Sequence, residues 1–365
     1  RMSIRRCAQK GPPTVELGLS YSQEWLLQKR FGTSDLSFLR KCLKKLSKHG
    51  KVNCCYEASG AGFYLYRVLR SWGFHCEVIA STLIPRKPGE KRKCDRLDAQ
   101  KLSSYYEAGL LTYVSVPDAE REAVRALVRC RQALREDVTR AKHQLIKFLD
   151  TKGLIYREGN NWTGKHRTWL NRQKFDNPVD KEVFDFYYSS LEIRERRLEE
   201  IDKRVHEIAE TDEYRDQVRL LCGFRGVKTL TAMVLLTELG DIRRFKSPKH
   251  LMSYVGLTPS VNQSGESGNR AGSITKAGSA RCRHVLVQAA WNNIRKPVRS
   301  RELRERQEGL PAWAIEHSWK CQKRLYKRFH HLEIRTSRPK AAVAIARELI
   351  GFLGWALYEF ARNRQ

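Results

Sequence analysis

No apolar run in this chain approaches the ~20 residues needed to cross a bilayer, and the N-terminal "RMSIRRCAQKGPPT" has no long apolar core of a secretory signal. The chain therefore reads as soluble and cytoplasmic, with no membrane partner. Paired cysteines are missing as well. Ten cysteines are scattered from Cys7 to Cys321, yet none form a CxxC pair and none stand with histidines at zinc-finger spacing. A structural zinc module is excluded, and reduced, mostly buried thiols are expected. Acidic residues are scarce: Asp and Glu total 40 against 70 Lys and Arg, a formal charge of +30. Such a surplus creates a positive potential over much of the surface and favours a polyanion. Nucleic acid is the expected partner ahead of an anionic membrane or an acidic protein.

What is present suits two or three folded units over 365 residues. Residues 1–117 alternate strand-like and helix-like runs. "KVNCCYEA" (51–58), "FHCEVIAS" (74–81) and "LTYVSVP" (111–117) predict strands. "SDLSFLRKCLKKLSKHG" (34–50, with Ser34 as N-cap), "GFYLYRVLRSWG" (62–73) and "LDAQKLSSYYEAG" (97–109) predict helices. The order implies an α/β unit with a partly parallel sheet.

Residues 118–217 change to heptad spacing. Apolar positions 124, 127, 134, 138, 141, 145 and 148 on one helix face a second set: Phe184, Tyr187, Leu191, Leu198, Ile201, Val205 and Ile208, with Arg194 in the seam. That is a coiled-coil register. It fits an intramolecular antiparallel hairpin and an intermolecular pairing equally.

Residues 218–365 read as mostly helical. "VRLLCGFRGVKTLTAMVLLTELGDI" holds two apolar segments about a Gly-x-x-Gly turn, Gly223 to Gly226, followed by Lys228. This is helix-hairpin-helix-like; such a turn offers backbone N–H groups to a phosphate, and an ordinary helix hairpin is the bland alternative. Residues 296–340 are strongly basic with interleaved aromatics, a platform for RNA or DNA. The last apolar segment, "KAAVAIARELIGFLGWALYEF", is broken by Gly351 and Gly354 and carries Arg347 and Glu348. It reads as a packing helix.

Three carboxylates in the first unit stand in informative places. Glu57 ends the apolar strand, and Asp95 and Asp98 form "CDRLD" just after the basic loop "PRKPGEKRK" that includes Arg92 and Lys93. Such a set can hold a hard divalent cation such as Mg²⁺, with the basic loop guiding a phosphate backbone toward it. The plainer reading makes Asp95 a helix cap, Asp98 a first-turn acid and Glu57 a surface residue. Far downstream, "NQSGESGNRAGSITKAG" (262–278) is too polar and glycine-rich to build a core. Its candidate nucleophiles are Ser264, Ser267 and Ser273. Arg270 and Lys276 could neutralise a phosphate there. A hydroxyl needs activation to attack, and a loop that only binds phosphate is the alternative.

"CYEASGAG", "KCDRLDA" and "YVGLTPSVNQSGESGNRAGSITKAG", in this order and spacing, resemble the DEDD-type insertion-sequence transposases of the IS-one-ten group over roughly residues 2–295. The resemblance implies a RuvC-like domain of RNase H fold, a coiled-coil region and a transposase domain with a nucleophilic serine. By position it implies that Glu57, Asp95 and Asp98 are three of the four metal-site acids and that Ser264 is the nucleophile. It also implies Mg²⁺, a bridge RNA transcribed from the element as guide, DNA as substrate, and a homodimer or tetramer sharing its active sites. One departure stands out. The family's first Asp precedes a run like "SIRxCA", and here nothing acidic precedes Glu16. The N-terminal strand bearing that Asp is therefore expected to be lacking. A metal-dependent RuvC-class nuclease and a decayed, purely nucleic-acid-binding transposase are the competing expectations.

Overall fold

The computed structural model describes residues 2–7, 14–21, 24–32, 36–60, 62–85, 95–262 and 270–363. The chain divides into two units, Arg1–Pro117 and Asp118–Gln365. The first holds β1 (Met2–Cys7), β2 (Thr14–Tyr21), β3 (Glu24–Gly32), α1 (Ser37–Ser47), β4 (Asn53–Glu57), α2 (Tyr64–Ser71), β5 (His75–Ile79) and α3 (Asp95–Glu107).

Its strands form one sheet in the order β3-β2-β1-β4-β5. The first three are antiparallel neighbours, while β4 runs parallel to both β1 and β5. The centre of β4 shows why an unbroken apolar run forms a strand here. Cys54, Cys55 and Tyr56 are all buried, so both faces of the strand are covered. Cys54 and Tyr56 pack with Leu39, Leu43 and Leu69 from α1 and α2. Cys55 points the other way, to Ile79, Leu102 of α3 and Leu111.

Met2–Cys7 is a strand in the middle of the sheet, paired on both sides, and carries no acidic residue. Two expectations change. Residues 111–117 do not form a strand. They make a single antiparallel bridge, Tyr113 to Ile79, with two flanking hydrogen bonds, Ala80 N–H to Thr112 O and Val114 N–H to Val78 O. Helix α1 begins at Ser37 without a side-chain cap, and Ser34 lies outside the described residues.

The second unit begins with α4 (Ala119–Thr151), α5 (Gly164–Asn171) and α6 (Pro178–Ala209). Each helix starts on a side-chain cap: Asp118, Thr163 and Asn177 accept hydrogen bonds from first-turn amides. The heptad pattern resolves into an antiparallel hairpin within the chain. Ion pairs step down one helix and up the other: Arg131–Asp202 (2.6 Å), Lys142–Glu195 (2.8 Å) and Lys152–Asp180 (2.7 Å). The buried seam is Val138, Ala141, Leu145 and Leu149 against Phe184 and Leu191. Phe148 packs against this seam, partly buried, beside Phe175 and Tyr187, and Leu149 next to it is fully buried.

The remaining elements are α7 (Arg215–Cys222), α8 (Thr229–Leu239), α9 (Pro248–Tyr254), β6 (Pro259–Asn262), β7 (Arg270–Ile274), α10 (Ala280–Trp291), α11 (Arg301–Gln307), α12 (Ala312–Glu333) and α13 (Arg338–Arg362). Helix α8 is apolar nearly all round and buried from Ala232 to Leu239, as a central helix must be. Helix α13 is long and apolar enough to cross a membrane by length and composition, but it is spent in this core. Ala341, Ile345, Leu349 and Leu353 are buried there, and Gly351 and Gly354 admit Met252 and Leu251 of α9. Val128, Val205 and Ala209 at the open end of the hairpin join the same core, so α4 and α6 are built into the helical body.

Candidate active site and nucleic-acid interface

Glu57 is the last residue of β4, two positions beyond Cys55 and therefore on the same face of the sheet. That face is covered by α3, whose Leu102 packs with Cys55. Asp98 lies one turn before Leu102 on the same stripe of the helix. Strand alternation and helix periodicity thus bring Glu57 and Asp98, both half-buried, to the interface between β4 and α3. Asp95 opens α3; its side chain, like Arg92 and Lys93, lies outside the described residues. Among the described residues no three His, Cys, Asp or Glu side chains converge.

The neighbouring thiols are not competing ligands. Burial pushes the Cys54 thiol up to about 12, and burial drives Cys55 and Cys76 upward too, so all three stay neutral at physiological pH. The charged donors left at this end of the sheet are carboxylate oxygens, a set suited to a hard cation such as Mg²⁺.

In the second unit, β6 and β7 form an antiparallel ribbon in which Asn262 pairs with Arg270. Ser264 and Ser267 lie outside the described residues; Ser273 is on β7, where its carbonyl accepts a hydrogen bond from Ser260 Oγ. The base of the ribbon is fixed tightly. Lys276 is exposed and adopts a left-handed conformation (φ 55°), and its N–H donates to Gly256 O. Gly278 has φ 66°, and a Cβ there would collide with the Tyr254 carbonyl. Arg283 of α10 donates to the Val255, Ala277 and Gly278 carbonyls at 3.1, 2.7 and 3.2 Å. One guanidinium thereby holds both segments from which the ribbon springs.

Arg283 was not among the residues that sequence reasoning selected. It sits in an ordinary amphipathic helix, and only its carbonyl contacts reveal the role. Arg283→Ala is expected to cost about 2 kcal/mol through three lost charge-assisted hydrogen bonds, measured by denaturant unfolding.

The Gly-x-x-Gly turn joins α7 to α8 as anticipated, but its two glycines differ. The Gly223 N–H is bonded to Arg219 O, and its carbonyl accepts from Gln307 (2.8 Å) and Ser318 (2.7 Å). Gly223 is thus committed to internal packing, as in an ordinary helix hairpin, and has no backbone group to offer a phosphate. Gly226 (φ 83°) lies against Ala289 and Asn292, where a Cβ would clash with the Ala289 carbonyl. It borders a cleft of about 580 Å³ lined by Arg131, Arg135, Arg225, Lys228, Arg295 and Arg306, with Glu302 as the one acidic lining residue. Burial, and to a lesser degree the charge of Arg295, lowers the pKa of Arg225. Helix α8 also opens here without a side-chain cap, leaving its positive end available. Such a cleft attracts phosphates.

Beneath the ribbon lies a buried ion pair. Arg129 binds Glu238 through two hydrogen bonds, at 2.7 and 2.9 Å, and the Glu238 side chain is only 5% exposed. It ties α4 to α8.

Residues 218–305 match the family described as Transposase IS116/IS110/IS902, and residues 19–153 match a DEDD-type transposase domain of IS110. The Sinorhizobium fredii protein y4qE, whose name describes a transposase, is 37% identical over 89% of this chain and 80% of its own length. The transposase for insertion sequence element IS1533 of Leptospira borgpetersenii is 34% identical over 86% of this chain and 91% of its own length. A pilin gene-inverting protein of Moraxella bovis is 30% identical over a shorter stretch, 34% of this chain and 41% of its own length. The chain belongs to the IS116/IS110/IS902 family of insertion-sequence transposases and is a DNA transposase.

Proposed function

We propose that this transposase moves its element by cutting and exchanging DNA strands through a phosphoserine link at Ser264, at sites chosen by an element-encoded guide RNA. Glu57, Asp95 and Asp98 would hold Mg²⁺, which would supply a Lewis acid to the phosphodiester when bound. What supports the reading is the place of Glu57 at the end of β4 and of Asp98 in the first turn of α3, on the sheet face and helix stripe whose Cys55 and Leu102 pack together. The likeness to a gene-inverting protein supports strand exchange as the outcome.

In this reading the Ser264 hydroxyl attacks phosphorus, a P–O bond to deoxyribose breaks, and the serine proton passes to the displaced oxygen. Reversal with a new strand end restores a diester and frees the serine, so no external energy source is consumed. Arg270 and Lys276 offset the charge that develops on the non-bridging oxygens. The cleft at Gly226 and Lys228 binds a phosphate backbone, and the +30 charge of the chain suits a large RNA. Sharing of carboxylates and serines between subunits makes a homodimer or tetramer the working form.

Glu57, Asp95 and Asp98 are the carboxylates of this chain proposed for the metal. Glu57→Gln and Asp98→Asn should each reduce strand cleavage by about 10²–10³-fold, within the range for loss of one preorganised group at a developing charge. They should also shift the Mg²⁺ titration to higher concentration. Purification of the chain from cells carrying the element, followed by sequencing of bound RNA, tests the guide. One discrete element-encoded transcript supports guidance, and a random sample of cellular RNA contradicts it.

A further inference from the structure

We infer that the exposed face of α12 is a second, sequence-independent binding surface for the phosphate backbone of duplex DNA. The inference rests on the transposase identity of the chain and is independent of the serine and metal chemistry. Helix α12 lies beyond residue 305, where the family match ends.

Its outer face carries Lys320, Lys323, Arg324, Lys327, Arg328 and His331, all exposed, at the i, i+3, i+4, i+7, i+8 and i+11 positions of one helical stripe. These side chains line a broad groove of about 710 Å³ together with Glu348 of α13. From Lys320 to His331 the row is about 16 Å long at the α-helical rise.

The charges on this face are arranged rather than neutralised. Glu348, with a side chain only 14% exposed, holds Arg324 at 2.8 Å and Arg328 at 3.4 Å. One buried carboxylate thus fixes two guanidiniums in the groove. Lys323 lies over the Trp319 ring, and Lys327 has no ion-pair partner among the described residues. Of the carboxylates, Glu316 pairs only with Lys320 at the upper end. The face keeps a surplus of positive charge with two cations already positioned, which lowers the ordering cost of binding.

The aromatic residues decide between duplex and single strand. Proteins that bind unpaired bases stack them on exposed rings. Here Phe329 is buried, Trp319 is covered by Arg299 and Lys323, and Tyr326 is packed edge-on against His330. No Phe, Tyr or Trp ring lines the groove, and the one imidazole, His331, stands at its end. A straight row of cations without a stacking platform fits the regular backbone of a duplex, where phosphate contacts position the protein without reading sequence.

The test uses the full chain and a labelled DNA duplex of arbitrary sequence, titrated over a range of salt. The Lys323→Ala/Lys327→Ala double variant should keep the wild-type melting temperature, because both side chains are exposed. Its plot of log affinity against log salt should become shallower by about 1.8, the value for two lost phosphate contacts. A matched control, Lys147→Ala/Lys181→Ala on the α4–α6 hairpin, removes the same charge elsewhere and should leave that slope unchanged. The proposal is overturned if the α12 variant keeps the wild-type slope, if the control loses as much, or if the α12 variant loses affinity only for single-stranded RNA.

Discussion

Ser264→Ala is expected to abolish the protein–DNA adduct that survives denaturant and to reduce strand exchange by at least about 10⁴-fold, as removal of a covalent nucleophile does elsewhere. The loop around it has few other hydroxyls. Ser273 is on β7, with its carbonyl bonded to Ser260, and Ser267 is three residues further along the sequence than Ser264. Ser267→Ala and Ser273→Ala should therefore keep the adduct. The effect is expected to be all-or-none at Ser264, because no other group can take its place in a step that forms a bond to phosphorus. Persistent Mg²⁺-dependent cleavage in Ser264→Ala, with free ends and no adduct, would instead make the carboxylates a self-sufficient nuclease.

Arg129→Ala should produce the largest loss of stability of any single change outside the apolar core. It leaves the Glu238 carboxylate buried with its two hydrogen bonds gone. The expected cost is about 3 kcal/mol, the low end for a broken buried pair, because Arg129 is partly open to water and Arg125 remains nearby. For a unit of this size that is a fall of roughly 6–12 °C in melting temperature. Replacing both partners, Arg129→Met with Glu238→Leu, should recover most of the loss, since an apolar pair avoids the desolvation cost.

The pH dependence follows from the same pair. Burial works to raise the pKa of Glu238, but the hydrogen bonds and charge of Arg129 outweigh it and hold the carboxyl below its ordinary value. A carboxyl depressed in the folded state contributes stability above its unfolded pKa, and that contribution is lost as pH falls through the folded value. The gap between wild type and Arg129→Ala should therefore be full at neutral pH and close in acid, below the ordinary carboxylate range. Thermal melts of both proteins from neutral to acidic pH would show it. A constant gap would mean that Arg129 stabilises through packing alone.

The sequence made visible whatever depended on local pattern. β4 was legible because "NCCYE" is an unbroken apolar run, and α3 because its helical spacing is local. β1 to β3 were harder. "MSIRRC" and "EWLLQKRFG" carry Arg and Lys, and they become strands through their partners across the sheet. The heptads announced two helices but could not say which chain they paired within. That answer lies in Arg131–Asp202 and Lys152–Asp180, pairs far apart in sequence.

Of the site, Glu57 and Asp98 could be selected from motif and spacing, yet their shared face needed Cys55 and Leu102 in contact. The assignment of phosphate binding to Gly223 failed for a similar reason. Its N–H and C=O are used by Arg219, Gln307 and Ser318, and two of these lie more than 80 residues away. The Arg129–Glu238 pair was invisible for the same cause, since partners 109 residues apart leave no periodic trace, and Arg283 because a side chain bonding to carbonyls has no sequence pattern.

The phosphoserine reading can be tested most directly by trapping the adduct on element-end DNA, digesting both protein and DNA, and locating the residual nucleotide by mass spectrometry. The expected result is a nucleotide on the peptide that contains "NQSGESGNR", fragmenting to place it on Ser264. A nucleotide on any other residue, or strand exchange with no nucleotide on the protein at all, would contradict it.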